Sequence, residues 1–203
     1  MGTAVREYTK INYIDERRYE IIGGKKYMPP SPILNHNETI RGLYDVFKDT
    51  LKGRSLKFYF DNVDVKLCEE NTVQPDFKIV SDFSKIADGK NIKGAPDFIA
   101  EVLSPSNSAH DLITKRDLYE KHGVKEYWIV DINNKNIYVY VLKENGAYGN
   151  PEIYHYFTPE EVEEIEQGYD DADKERIKIT HIGSRTFGDE ISVPISKIFE
   201  NII

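Results

Sequence analysis

Two carboxylates occupy comparable places in apolar segments of this sequence. Asp76 opens the segment 75–80, and Glu101 lies in the middle of the apolar run 98–103. A carboxylate inside a buried strand is costly unless it pairs with a charge or binds a cation. If the two strands are neighbours, the carboxylates can converge on one point, where their oxygens suit Mg²⁺ or Mn²⁺. Such an ion can activate water and stabilise charge on a phosphodiester.

The Glu101 strand is the first part of a predicted strand, helix and strand unit. After the strand at 98–103 comes a polar turn, and residues 111–122 then show a helical pattern that carries Lys115. A second apolar strand follows at 126–131. This length is typical of a βαβ crossover, which joins two parallel strands.

Other elements are predicted on both sides of this unit. The dipeptide Gly23-Gly24 is able to adopt the positive φ of a hairpin turn between short alternating segments. Asn35 is a suitable cap for a helix at 36–52. An acidic block at 159–174 is typical of a solvated helix or an insertion, and it is given no chemical role. Further strands are expected at 57–60, 63–67, 77–80, 137–142, 153–157, near 177–182 and 190–193, before a short helix at 195–200.

Composition sets limits on the class of protein. The 203 residues are enough for one domain with a proper core, and we expect residues 19–203 to form it, with 1–18 only partly ordered. The net charge of −8 argues against a general nucleic-acid coating protein but leaves a nuclease open. One cysteine, Cys68, leaves no disulfide partner and no cysteine-rich zinc site. No membrane span or secretory signal is visible, so we expect a cytoplasmic protein.

Four motifs together resemble one known family. They resemble the Uma-type restriction endonuclease family, which belongs to the PD-(D/E)XK nuclease superfamily, and the resemblance runs from about residue 19 to residue 142. Any one of them alone would be weak, but the set is specific. The motifs are Val-Gln-Pro-Asp at 73–76, Gly-Ala-Pro-Asp-Phe-Ile-Ala-Glu-Val-Leu-Ser-Pro-Ser at 94–106, Asp111-x-x-x-Lys115-x-x-x-Tyr119, and Gly-Val-Lys-Glu-Tyr-Trp-Ile-Val-Asp at 123–131.

The resemblance implies a fold and an activity. The fold would be of the α/β (α+β) class, a restriction endonuclease-like mixed β-sheet flanked by helices, with an N-terminal β-hairpin and additional C-terminal strands. The activity would be that of a metal-dependent endonuclease, which hydrolyses phosphodiester bonds in DNA with Mg²⁺ (or Mn²⁺). A homodimer would suit cleavage of two strands.

Family positions can be transferred to this chain residue by residue. Asp76, Glu101 and the backbone carbonyl of Val102 would hold the metal, and Glu38 would be a further acid from the first helix. The superfamily motif places lysine where this chain has Leu103. Lys115 is the natural substitute, because a helix packed on the sheet could bring its ammonium to the same place.

A second lysine and three further side chains complete the predicted site. Lys78 is an alternative to Lys115, because it lies two residues after Asp76 and so faces the same side of the strand. His36 could contact phosphate or water. Ser104 and Ser106 lie in a turn whose amides and hydroxyls could meet a phosphate.

Each candidate also has a structural interpretation. Asp76 could hydrogen-bond a turn after Pro75, as Asp97 does in our interpretation of the second Pro-Asp dipeptide. Glu101 could form a buried ion pair with Lys115. Glu38 follows Asn35 by three residues, which is close to a capping box.

Two other functions compete with a DNA endonuclease. The first is a catalytically inactive nuclease-fold protein that serves as a nucleic-acid or protein binding module. The second is a glycosidase, in which one carboxylic acid protonates and the other attacks. The single tryptophan, Trp128, lies in an apolar strand, so the exposed tryptophans that stack on sugars are missing.

Overall fold

The computed structural model describes residues 19–28, 31–103, 110–168, 170–188 and 191–202. The helices are α1 (Leu34–Thr50), α2 (Arg116–His122), α3 (Pro159–Gly168), α4 (Asp171–Arg176) and α5 (Ser196–Phe199), with a 3₁₀ turn at Phe83–Ile86 and a π-helical segment at His110–Lys115. The strands are β1 (Glu20–Ile22), β2 (Lys25–Tyr27), β3 (Lys57–Phe60), β4 (Val65–Cys68), β5 (Asn71–Val73), β6 (Phe77–Val80), β7 (Ile92–Lys93), β8 (Phe98–Val102), β9 (Glu126–Asp131), β10 (Asn136–Val141), β11 (Glu152–His155), β12 (His181–Gly183) and β13 (Ser192–Pro194).

A six-stranded mixed sheet forms the centre of the fold. Its strand order is β11-β10-β9-β8-β6-β3. The pair β8 and β9 is parallel, while β6 pairs antiparallel with β8 and with β3. The π-helical segment and α2 connect the two parallel strands, so the predicted βαβ crossover is confirmed. The α+β class with a mixed sheet and flanking helices is confirmed as well.

The two faces of this sheet are covered differently, because side chains alternate between the faces along each strand. One face packs against α1 and α5, where Phe47 of α1 contacts the rings of Phe98 and Trp128. The other face packs against α2 through Tyr119 and against a second sheet through Val73. This second sheet has the order β2-β1-β5-β4-β7. The second face is the one that carries the polar residues of interest.

Several predicted elements are confirmed with small shifts in their ends. The hairpin forms around Gly23 and Gly24, which have φ of 58° and 74°. Helix α1 begins at Leu34 rather than after Asn35, and Ile33 is its N-cap without a side-chain hydrogen bond. The capping-box interpretation of Asn35 and Glu38 is therefore wrong. The acidic block forms α3 and α4, and α3 buries none of its described residues.

Two short strands were not predicted, and some predictions cannot be compared. Strands β5 and β7 have three and two residues, which is too short for a visible alternation. The polar turn at 104–108 and the segment 1–18 lie outside the described residues. Across the described part of the chain, no helix is both long enough and apolar enough to cross a membrane.

Helices α1 and α5 touch at Gly42. A Cβ atom at this position would lie 2.8 Å from the carbonyl oxygen of Lys197 and 3.2 Å from the Cα of Ile198. Both are backbone atoms, so neither can move aside without shifting a helix. A glycine inside a helix normally destabilises it relative to alanine, and the close approach to α5 explains why glycine is suited to this position.

We expect Gly42→Ala to destabilise the protein by about 1–3 kcal/mol, because overpacking outweighs the better helix propensity of alanine. Gly168→Ala is the matched control, since a Cβ there would meet no described heavy atom within 4 Å. The free energy of unfolding from urea denaturation should fall in the first variant and stay equal or rise in the second. A Gly42→Ala protein as stable as the wild type would contradict the packing.

Candidate active site

Asp76 and Glu101 lie on the same face of the central sheet, at the same end of β6 and β8. The antiparallel register pairs Phe77 with Ala100, and Asp76 and Glu101 are the next residues outward on the two strands. Side chains that are opposite in an antiparallel pair point to one face. The register therefore places the two carboxylates on the same face of neighbouring strands, as the sequence predicts.

Asp76 is held from two sides. Its Oδ2 accepts a hydrogen bond from the backbone N–H of Val102 at 2.7 Å and lies 3.1 Å from Nε2 of His36. Burial raises the pKa of Asp76, but the hydrogen bond and charge of His36, with help from Lys115 and Val102, outweigh it and lower the pKa below its usual value. The side chain keeps 19% of its surface exposed, more than that of Glu101.

His36 comes from the first turn of α1 and has the complementary shift. Burial lowers the pKa of His36, but the hydrogen bond to Asp76 and the charges of Asp76 and Asp61 outweigh it, so the net pKa is raised. A histidine with a raised pKa carries a positive charge over more of the neutral range. The raised pKa of His36 and the lowered pKa of Asp76 thus each favour the charged form of the group.

Glu101 is nearly enclosed, with 3% of its side chain exposed, and binds two groups from the crossover. Its Oε1 accepts hydrogen bonds from Nζ of Lys115 at 3.0 Å and from the hydroxyl of Tyr119 at 2.6 Å. Burial and the nearby carboxylates raise the pKa of Tyr119 well above its usual value, so its hydroxyl stays protonated as a donor. The predicted contact between Glu101 and Lys115 is present.

Lys115 reaches this position from the last residue of the π-helical segment, where α2 begins. Its side chain has 7% of its surface exposed. Short π-helical turns inside helices are frequent at functional sites, because they redirect one side chain. The crossover thus brings Lys115 to Glu101, as predicted, although residues 110–115 form a π-helix and not the predicted α-helix.

Glu20 is a third buried acid that the sequence reasoning missed. Its Oε1 lies 3.1 Å from Nζ of Lys115 and accepts the backbone N–H of Gln74 at 2.8 Å. Glu20 belongs to β1 of the second sheet, which covers this face. The local signal is weak, because Glu20 begins a three-residue strand, whereas Glu101 lies inside a five-residue apolar one.

Lys78 is fully buried on the same face as Asp76. Its ammonium donates to the backbone carbonyls of Pro75 and Asp61. Burial lowers the pKa of Lys78 to about 8, against the attraction of Asp76 and Glu101. These contacts give Lys78 a structural role that ties together the chain segments beside Asp76.

The remaining predicted residues lie apart from this cluster or cannot be placed. Glu38 forms an ion pair with Arg41 one turn along α1, with 37% of its side chain exposed. Ser104 and Ser106 lie outside the described residues.

Two other buried acids have structural roles. Asp97 accepts hydrogen bonds from the backbone and hydroxyl of Ser81, and its pKa is lowered because these bonds and Lys125 outweigh the effect of burial. Glu126 accepts from Trp128, Ser184 and the backbone of Thr186. Asp97 is thus a turn residue, as its Pro-Asp context indicates.

The donor set of this cluster favours one class of cation. In the part of the chain that the structure describes, no group of three or more His, Cys, Asp or Glu side chains is arranged to hold a metal ion. The cluster therefore offers the two carboxylates of Asp76 and Glu101. Mg²⁺ is commonly bound through one or two carboxylates and keeps several waters, whereas a structural zinc site needs four protein ligands.

The burial of Lys78 makes a prediction about pH. Its folded pKa of about 8 lies below the usual 10.5, so the unfolded chain binds more protons between these values and folding stability rises with pH there. The unfolding free energy of the wild type minus that of Lys78→Met should increase from pH 8 to pH 10.5, by up to about 3 kcal/mol. Urea denaturation at several pH values measures it, and a flat difference would contradict the burial.

Among solved structures, one that resembles most of this chain comes from Anabaena variabilis. It is a crystal structure described as a putative nuclease belonging to DUF820, with a TM-score of 0.68. The match has 18% sequence identity and covers 93% of this chain and 93% of that chain. At this level of identity the likeness shows the fold alone. A search of curated proteins found no match.

A family match covers most of the sequence. Residues 5–171 match the family Uma2, whose description is "Putative restriction endonuclease". The matched region includes Glu20, Asp76, Glu101 and Lys115, together with the whole βαβ crossover. This family match agrees with the resemblance of the four sequence motifs. The chain belongs to the Uma2 family of putative restriction endonucleases.

Proposed function

We propose that this protein is a metal-dependent endonuclease that hydrolyses phosphodiester bonds in DNA. The observation that carries the proposal is the meeting of Asp76 and Glu101 on one face of adjacent strands, with the ammonium of Lys115 bound to Glu101. Membership of the Uma2 family supports a nuclease. The substrate, the metal and the residue roles are our inference.

Asp76, Glu101 and the backbone carbonyl of Val102 would hold Mg²⁺ or Mn²⁺. A bound ion of this kind lowers the pKa of water and stabilises charge on a phosphodiester. The backbone N–H of Val102 donates to Asp76. This hydrogen bond would fix Asp76 relative to β8, the strand that carries Glu101. The lowered pKa of Asp76 keeps its carboxylate ionised and ready to bind a cation.

Lys115 would orient the attacking water and offset the negative charge that builds up as the phosphate is attacked. Its ammonium would take the role that the superfamily motif gives to a lysine at the position of Leu103. His36, which lies beside Asp76, would contact the phosphate. Lys78 already donates to two backbone carbonyls, so it supports the proposal less than Lys115 does. Roles for Glu38, Ser104 and Ser106 stay predictions.

Two broader predictions belong to this proposal. A homodimer would place two sites on opposite strands of a DNA duplex, and residues 19–203 would act as one domain. Light scattering of the purified protein, with and without duplex DNA, would measure its oligomeric state.

One observation favours the alternative function, a catalytically inactive nuclease-fold protein that binds nucleic acid or protein. Glu101 and Lys115 are both buried and already joined, as in an ion pair that only stabilises a fold. Under this alternative the wild type would bind DNA without cleaving it in any divalent metal.

We expect Asp76→Asn and Glu101→Gln each to lower the rate of plasmid cleavage in Mg²⁺ or Mn²⁺ by at least about 100-fold, because each removes charge at the proposed metal site. Both should also weaken Mn²⁺ binding, which electron paramagnetic resonance of free Mn²⁺ measures without any reaction.

Matched controls separate a local effect from loss of folding. Asp97→Asn changes a second aspartate that follows proline, and Glu126→Gln changes a buried glutamate of the adjacent strand. Both should keep cleavage and Mn²⁺ binding when circular dichroism shows a folded protein. Cleavage that survives in Asp76→Asn and Glu101→Gln would remove the proposed mechanism.

A further inference from the structure

We propose that Glu20 is a positioning residue that holds the ammonium of Lys115 in the active site. The inference rests on the proposed function, in which Lys115 orients the attacking water. Glu20 lies in the hairpin strand β1, far in sequence from the βαβ crossover, and its Oε1 is 3.1 Å from Nζ of Lys115. Its side chain is 4% exposed, so the contact is shielded from solvent.

A backbone N–H at the end of strand β5 fixes the carboxylate of Glu20. The N–H of Gln74, just after β5, donates to the same Oε1 at 2.8 Å. Strand β1 pairs with β5 at Ile21 and Thr72, one residue from Glu20 and two from Gln74. Glu20 is therefore a rigid acceptor whose position does not depend on the crossover or on Glu101.

Glu101 alone is a poor anchor for Lys115 during a reaction. Its Oε1 is shared between Lys115 and the hydroxyl of Tyr119, and in the proposed function the same carboxylate also binds the cation. A cation would draw charge from Glu101 and weaken its hold on the ammonium. A lysine side chain has four rotatable bonds, so a second acceptor is needed to keep the ammonium in one place.

Glu20 has the chemistry of a metal ligand, but its Oε1 already contacts the ammonium of Lys115 and the backbone N–H of Gln74. The same ammonium also contacts Glu101, so Lys115 bridges the two glutamates. This arrangement predicts that loss of Glu20 affects the reaction step and leaves metal binding intact.

The first test compares Glu20→Gln with the wild type in DNA cleavage. The amide keeps an acceptor for Gln74 and removes the charge. We expect kcat to fall by about 10-fold or more, with the KM for DNA and the Mn²⁺ affinity within about twofold of the wild type. Glu70→Gln is the control, because it makes the same charge change at an exposed position in the turn that precedes β5. It should leave all three quantities unchanged.

A double-mutant cycle tests whether Glu20 acts through Lys115. Lys115→Met removes the ammonium and keeps an unbranched chain. If Glu20 only positions Lys115, Glu20→Gln should lower kcat in the wild type and have no further effect in Lys115→Met. Independent effects that multiply in the double variant would overturn the inference. So would a loss of Mn²⁺ affinity in Glu20→Gln as large as that in Glu101→Gln, because Glu20 would then be a ligand.

Thermal unfolding tests the contact without any activity. In the wild type, Glu20→Gln should lower Tm, because Lys115 loses a partner. In Lys115→Met it should raise Tm or leave it unchanged, since it then removes a buried carboxylate that has no cation beside it. A fall of equal size in both backgrounds would show that Glu20 does not hold Lys115.

The proposed function and the positioning role of Glu20 can be tested separately. A wild type that cleaves no DNA in any divalent metal removes the proposed function and the catalytic role of Glu20 with it. The reversal of the Tm effect still decides whether Glu20 holds Lys115. An unchanged kcat in an active Glu20→Gln protein overturns the positioning role alone.

Discussion

The buried ammonium of Lys115 is the constraint on which the rest of this structure depends. A lysine with only 7% of its side chain exposed cannot stay charged without close partners, and two carboxylates supply them at 3.0 and 3.1 Å. One partner, Glu101, belongs to the central sheet, and the other, Glu20, belongs to the second sheet. The ammonium thus joins the crossover to both sheets at a single point.

The topology follows from bringing these charges together. The parallel pair β8 and β9 requires a crossover long enough to contain a helix, and this crossover delivers Lys115 back to the strand that it left. The antiparallel pairing of β6 with β8 then places Asp76 beside Glu101. The hairpin closes the same face through Glu20. Three separate parts of the chain therefore contribute the four charged groups: the hairpin gives Glu20, the start of β6 gives Asp76, and the βαβ unit gives both Glu101 and Lys115. The site therefore cannot be seen in any one segment.

Sequence reasoning finds the parts of the site whose surroundings are local. Glu101 is visible because its own flanks are apolar, and Asp76 and Lys115 are visible from the family motifs. Glu20 was missed because its burial depends on the pairing of β1 with β5, which joins Ile21 to Thr72 across the chain. The prediction of a capping box is wrong for the opposite reason. The pattern of Asn35 and Glu38 is local, but α1 begins earlier, at Leu34.

The burial of the charged groups also indicates the side from which a ligand can approach. Glu101 is 3% exposed, whereas Asp76 is 19% exposed and carries His36 beside it. His36 is itself buried, with 10% of its side chain exposed, close to the 7% of Lys115. A ligand that came from the Asp76 side would therefore meet the side chain of Asp76 before His36 or Lys115. If the proposed function holds, His36 would act beside Asp76 and Lys115 beside Glu101. Lys115 would serve the reaction, because two buried carboxylates hold its ammonium.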